Sequence, residues 1–208
     1  MYVQQFMKPH VITVSPDENI LNAMNTMKTK RINRLPIVSK GELVGIVTDG
    51  DLRKASPSAA TSLSKFELNE LISKVTVKEV STKKVITCSP ETLIEDAALD
   101  MREHKIGALP VMENGKLVGI ITQNDIMDAF LDIMGARSSG KRIVIEARDG
   151  VGVMNEVSSI IKQFELDITN LAVFHLSNRM VQILCRVNGE QTEEAVKALI
   201  EKGFNVIQ

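Results

Sequence analysis

Two short segments carry residue types that can do chemistry at a fixed spacing: Thr48-Asp49-Gly50-Asp51 and Thr122-Gln123-Asn124-Asp125. Each puts a hydroxyl and a carboxylate three residues apart, after an apolar run and before a new helical pattern. Such a pair has two uses. It can close a capping box, with the threonine as cap and the carboxylate answering both it and the helix dipole. It can also form part of a ligand site, because free N–H groups at a helix start attract anions and a carboxylate accepts two ribose hydroxyls. One copy would favour the cap. Two copies at corresponding positions suggest a paired site.

The correspondence extends well beyond those segments. Val11–Pro16 (VITVSP) returns as Val85–Pro90 (VITCSP), and Arg34–Val38 (RLPIV) as Ala108–Met112 (ALPVM). Gly41–Asp51 (GELVGIVTDGD) returns as Gly115–Asp125 (GKLVGIITQND), always 74 residues on. Ungapped comparison of Val11–Lys54 with Val85–Asp128 gives 18 identities in 44 positions, so the chain contains a duplication.

Each copy reads as strand, helix, strand, strand, helix. Val11–Val14 is β-branched, and Ser15-Pro16 with Glu18 is a helix-start signature. Ile20, Ala23, Met24 and Met27 then form one apolar stripe, repeated by Ile94, Ala97, Ala98 and Met101. A hairpin follows, Leu35–Val38 and Leu43–Val47 about Lys40-Gly41, with Asn114-Gly115 as the second turn. Short helices at Asp51–Ala55 and Asp125–Met134 leave the sheet. Ser56–Ser64 reads as a loop, and Phe66–Val75 recovers helical spacing through Phe66, Leu68, Leu71 and Ile72.

A Gly/Ser linker at Gly135–Lys141 precedes a different pattern. Strands are expected at Ile143–Ala147, Ile168–Leu176, Met180–Val187 and Phe204–Ile207, with helices at Gly152–Phe164 and Thr192–Lys202. The order is βαββαβ.

Composition narrows the function classes. The 208 residues carry a net charge of −1, which argues against a general nucleic-acid binder. Only 3% are aromatic, with no tryptophan, so aliphatic side chains and ten methionines build the core and base-stacking platforms are not expected. MYVQQFMKPH has no apolar signal-peptide region, and no apolar run approaches the roughly 18–20 residues of a membrane span. A soluble, intracellular chain is expected, with Cys88 and Cys185 as buried, reduced thiols. His10, His104 and His175 have no metal-site spacing. No Ser/His/Asp or Cys/His grouping, Gly-x-Gly-x-x-Gly or phosphate loop is present, so no catalytic residue is assigned and the chain reads as a non-enzyme.

The doubled motifs, with T-x-S-P, L-P and L-V-G-I-x-T-x-x-D in order, resemble CBS domains, and the tandem resembles a Bateman module over roughly residues 1–134. The resemblance implies an adenosine-containing ligand (AMP, ADP, ATP or S-adenosylmethionine) held as a regulatory ligand between the repeats, without a catalytic cofactor. It implies that Asp51 and Asp125 hold ribose hydroxyls and that Thr48 and Thr122 support ribose or phosphate. Thr13, Thr87, Ile37 and Val111 would border the adenine, framed by aliphatic groups, and one cleft can mix residues of both repeats. The first copy has Arg31 and Arg34 before Leu-Pro, whereas the second has Lys105 and Gly107-Ala108. Arg34 can engage a phosphate bidentately, so one phosphate-tolerant site and one weaker or differently selective site are expected. Val80-Ser81 stands where many CBS repeats have a methionine comparable to Met7. Lying outside the Thr-x-x-Asp signature, it is expected to change little.

Residues 141–208 resemble an ACT domain through Ala147–Leu171 (ARDGVGVMNEVSSIIKQFELDITNL) and the βαββαβ order. That resemblance implies sheet-to-sheet dimers and a small effector near Asp149, Gly152 and Asp167, although Val151 replaces the family's usual proline. CBS motifs followed by an ACT domain resemble AcuB-like proteins, a bacterial group named for acetoin utilisation. The expected architecture is α/β (α+β): a first CBS domain at 1–60, a connecting helix and second CBS domain at 61–134, and a ferredoxin-like ACT domain at 141–208. The expected function is cytoplasmic regulation by ligand sensing, in a homodimer or tetramer that acts on a target protein and binds no nucleic acid or membrane. The alternative is an adaptor or oligomerisation protein that has lost its ligands.

Overall fold

Asn114-Gly115 and Lys40-Gly41 both sit in the left-handed region, with φ of 49° and 77° in one pair and 50° and 86° in the other. Such angles match the twist of a tight two-residue hairpin, and they set the register of each repeat in the computed structural model. That structure describes residues 1–55 and 72–207; the expected loop Ser56–Ser64 and the stripe positions Phe66, Leu68 and Leu71 lie outside them. The chain divides into two units, Met1–Ile126 and Met127–Gln208.

In the first unit, α1 (Ile20–Lys30) leads into the antiparallel pair β1 (Arg34–Ser39) and β2 (Glu42–Thr48), closed by α2 (Asp49–Ala55). After the one-turn helix α3 (Val77–Val80), the pattern returns as α4 (Ile94–Glu103), β3 (Ala108–Glu113), β4 (Lys116–Thr122) and α5 (Gln123–Ile133), within which the first unit ends at Ile126. Even the irregularities repeat: the register slips between Ile37 and Val38, and again between Val111 and Met112. The stripe residues Ile20, Ala23 and Met27 are buried with Leu35, Ile37 and Leu52, and Ile94, Ala97 and Met101 are buried likewise.

The segments leading into the repeats are exchanged. Lys8, ahead of the first repeat, forms an antiparallel bridge with Ile120 of the second, while Thr82, ahead of the second, pairs with Ile46 of the first. This exchange corrects two expectations. The expected strand Val11–Val14 is reduced to one parallel bridge, Val14 to Ile37, with Cys88 to Val111 as its counterpart. Helix α1 begins at Ile20 behind an Asn19 cap, four residues beyond the expected start at Pro16. The cause is tertiary: Val77 donates to the Glu18 carbonyl, Lys78 to that of Pro16, and Ile20 to that of Val75. Those backbone groups are spent on the neighbouring segment, and Asn19 then accepts from Asn22 at 2.8 Å.

The second unit contains β5 (Lys141–Arg148), α6 (Val153–Gln163), β6 (Asp167–His175), β7 (Met180–Asn188), α7 (Thr192–Glu201) and β8 (Asn205–Ile207). The sheet is antiparallel in the order β6-β7-β5-β8, so β6 and β8 are its edges. Alternate residues of β5 and β7, including Ile145, Ile183 and Cys185, are buried against Val157, Ile160 and Ile161 of α6 and Leu199 of α7. This is the period-two pattern of a sheet covered on one face. No helix among the described residues is long and apolar enough to cross a membrane.

Ile183 is fully buried at the centre of that core, so Ile183→Ala is expected to lose about 2–5 kcal/mol, measured by hydrogen exchange of the β5–β8 amides. Cys88 and Cys185 are free thiols, and burial pushes both up to about 11. Since the thiolate is the nucleophile, alkylation at about pH 8 is expected to be much slower than for unfolded protein and to rise with pH. Equal rates for the folded and unfolded chain would contradict that burial.

Candidate functional site

Both Thr-x-x-Asp segments fold as reciprocal caps. Thr48 donates to Asp51 Oδ2 from its backbone N–H at 3.0 Å and from its hydroxyl at 2.6 Å, while the Asp51 N–H returns a bond to Thr48 Oγ1 at 3.2 Å. The second copy repeats this at 2.8, 2.6 and 3.4 Å between Thr122 and Asp125. One carboxylate oxygen of each pair is therefore engaged in capping and the other is left over. The remaining oxygens differ. Asp125 is only 7% exposed, and its Oδ1 lies 3.6 Å from Lys8 Nζ. Asp51 is half-buried, and its Oδ1 has no ion-pair partner among the described residues.

The exchanged leader places Lys8 beside Asp125, and the same exchange opens a cleft of about 250 Å³ within the first unit. Its apolar walls are Val11, Ile12, Ile32 and Ile120; Thr122, Gln123 and Asn124 close it at the start of α5. Lys8, His10, Arg31 and Arg34 supply its basic groups. Arg34 Nη1 donates to the Gly107 carbonyl, tying β1 of the first repeat to the loop before β3 of the second. Burial lowers the Arg34 pKa from its ordinary value, and the negative charge of Asp125 opposes that shift. Gly107 leaves room for that guanidinium: a Cβ would lie 2.7 Å from Arg34 Nη2, so the end of the arginine side chain would have to shift.

Of the residues singled out in the sequence, Arg34 and Thr122 line this cleft and Asp125 stands behind Thr122. Thr13 and Thr87 are exposed and do not line it; the cleft takes Val11 and Ile12 from the first of those segments. Val111 and Ile37 are buried elsewhere, and Thr48 with Asp51 lies outside the cleft. Lys8, Asn33 and Ile120 went unmarked in the sequence; His10 was weighed there only as a metal ligand and Gly107 only in the comparison of the two copies. The signal for Lys8 and His10 was only that two basic residues precede the first repeat.

In the second unit, Asp149 lies beyond β5, donating from its N–H to the Arg179 carbonyl at 2.8 Å, with Oδ2 3.8 Å from His175 Nε2. Asp167 pairs with Asn188 at the other end of β7. At about 3.3 Å per residue, the two carboxylates are more than ~25 Å apart within one copy. Gly152, with φ of 97°, caps α6 on Asp149's side. Among the described residues, no cluster of His, Cys, Asp and Glu is arranged to hold a metal.

The duplicated hairpin-and-helix units match a family model, described as CBS domain, at residues 3–58 and again at 77–132. The chain belongs to the CBS-domain family. Its fold is mixed α/β with tandem CBS domains. This CBS pair is similar to the CBS domain pair of protein MJ0100, solved in complex with 5-methylthioadenosine and S-adenosyl-L-methionine. That likeness has TM-score 0.52 and 30% identity, over 62% of this chain and 95% of that one. It is also similar to CBSX2 in complex with AMP, with TM-score 0.53 and 32% identity over 64% and 97%. A putative acetoin utilization protein (AcuB) from Vibrio cholerae matches with TM-score 0.55 and 28% identity, over 68% and 98%. Among curated relatives, the inosine-5'-monophosphate dehydrogenase of Methanocaldococcus jannaschii is 29% identical over 95% of this CBS-domain chain, which spans only 40% of that enzyme.

If the Thr122–Asp125 cap holds the start of α5 at the cleft, Thr122→Ala is expected to cost about 1–2 kcal/mol in thermal denaturation. An unchanged melting curve would mean that the helix start is held by other contacts.

Proposed function

We propose that this protein is a regulatory ligand sensor whose CBS pair binds an adenine nucleotide in the cleft between its repeats. The observation that carries the reading is a cleft lined by aliphatic walls and basic groups, with the buried Asp125 carboxylate directly behind its Thr122. Asp125 keeps one oxygen outside its cap, suited to the ribose hydroxyls. Val11, Ile12, Ile32 and Ile120 give the adenine an aliphatic slot, which needs no aromatic partner. Lys8 and Arg34 answer the phosphates. Relatives whose structures contain AMP, or S-adenosyl-L-methionine with 5-methylthioadenosine, support the adenosine class. The excess of cations selects within it, favouring a phosphate over a sulfonium. Asp51, without a basic partner like Lys8 among the described residues, belongs to the weaker or differently selective site.

Arg34 links ligand to conformation. Its guanidinium holds the Gly107 carbonyl across the repeats, and a bound phosphate competes for it. Ligand and repeat setting are thereby coupled, provided that the two settings bind the nucleotide with different affinity. The reading assigns the chain no catalytic step; its output is a change presented to a target protein in the cytoplasm, with the acetoin connection drawn from the AcuB likeness.

The second unit is read as an ACT domain that pairs two copies of the chain. Edge strand β6 exposes Leu171, Val173 and Phe174, with Leu176 just beyond it. Antiparallel pairing of β6 with a second β6 would bring the Asp167 end of one strand toward the His175 end of the other. Asp149 faces His175, so the Asp149 and Asp167 that are far apart in one copy would approach each other between copies.

Calorimetry with AMP, ADP, ATP and S-adenosylmethionine tests the sensor. The nucleotides are expected to bind more tightly than S-adenosylmethionine, and Arg34→Ala to weaken them about tenfold or more. If no adenosine compound binds, the adaptor reading takes over. Sedimentation tests the pairing: Val173→Glu is expected to convert a dimer to monomer, and an unaltered dimer would remove β6 from the interface.

A further inference from the structure

One difference between the two repeats lies on the hairpin face away from the nucleotide cleft. In the second repeat, the face of the hairpin at Gly119 is covered by Met7: a Cβ at residue 119 would lie 2.5 Å from the methionine sulfur. The corresponding residue over Gly45 is Ser81, whose hydroxyl would meet a Cβ there at 3.2 Å. A serine side chain is two heavy atoms shorter than the methionine that fills such ground. The sequence alone suggested that this departure would change little; the structure shows a cavity of about 230 Å³ beside it.

Pro16, Ile37 and Val44 form the apolar part of the cavity lining, and Ser39 and Ser81 add two hydroxyls. Lys78 and Lys83 complete it, with no acidic residue among the described lining. Neither lysine has an ion-pair partner among the described residues. Ser81 donates its proton to the Lys78 carbonyl at 3.2 Å, which leaves its lone pairs free and ties the serine to the turn bearing that lysine. Thr48, Asp51 and every residue of the basic cleft are absent from this lining.

We propose that this cavity is a second ligand site, independent of the nucleotide cleft, for a small anion with an aliphatic body. The apolar wall would take the body, and Lys78 and Lys83 the charged head. The apolar part of the lining is short, Pro16, Ile37 and Val44 only, so the proposed occupant is a metabolite-sized acid with a body of a few carbons. Two lysine point charges beside hydroxyls suit a carboxylate, and the missing methionine side chain supplies the room.

The test uses the full chain with hexanoate as probe, followed through the methyl signals of Ile37 and Val44 by NMR. Hexanoate is expected to shift both methyls saturably, whereas hexanamide, with the same body and no charge, is expected to leave them unmoved. Ser81→Met, which restores the residue type at position 7, is expected to abolish the shifts without lowering the melting temperature. Lys83→Glu provides a second variant at an exposed position, expected to weaken hexanoate about tenfold or more. No saturable shift in the natural chain, or equal binding by Ser81→Met, would overturn the site. Inorganic phosphate that saturates the same methyl shifts would overturn the aliphatic part, because a bare anion would then suffice. AMP binding is measured separately in each variant and is expected to be unchanged, so failure of this site and failure of the nucleotide reading are distinguishable.

Discussion

The exchange of leading segments between the repeats is the constraint on which the rest of the first unit depends. Lys8 pairs with Ile120 and Thr82 with Ile46, so neither hairpin finishes its hydrogen bonding with residues of its own repeat. The exchange fixes where α1 begins, because Pro16 and Glu18 give their carbonyls to Lys78 and Val77 before any helix can use them. It also delivers Lys8 to Asp125 and builds the mixed cleft from both copies. A duplication that folded as two separate halves would have no such cleft.

Within that frame, similarity and difference between the copies do separate work. The reciprocal Thr-x-x-Asp caps agree to within a few tenths of an ångström, so both helix starts are locked in the same way. The groups around them are unequal: Arg34 and Lys8 stand beside one carboxylate, while the other has no such ion-pair partner among the described residues. Gly107 matters for the same reason. Standing where the first copy has Asn33, it gives up its side chain and leaves space for the Arg34 guanidinium. Ser81, standing where the other copy has Met7, is the matching case on the other face of the hairpin, where a smaller side chain lines a cavity. Duplication thus supplies a scaffold, and small substitutions decide what each half can hold.

The second unit shows how topology redistributes charges that look adjacent in sequence. Asp149 and Asp167 lie 18 residues apart, yet β7 separates them by its whole length because β5 and β6 both pair antiparallel to it. Its apolar edge at β6 is long and pairs with no further strand among the described residues, a form that sheets seldom leave exposed to solvent.

The sequence by itself determined the duplication, the hairpins and the caps, since turns with positive φ, apolar stripes and a hydroxyl three residues before a carboxylate are local in origin. It also determined the βαββαβ order, because periods of 2 and 3.6 alternate clearly between Lys141 and Gln208. What only the tertiary structure decided was pairing at a distance: the exchange of leaders, the shortening of Val11–Val14 to a single bridge, and the choice of Val11 and Ile12 over Thr13 as cleft walls. Backbone groups of an irregular segment accept whichever partner the fold presents, and no side-chain pattern records that choice. The room left by Ser81 belongs to the same class, for a missing side chain becomes a cavity only when the surrounding walls are too well packed to close over it.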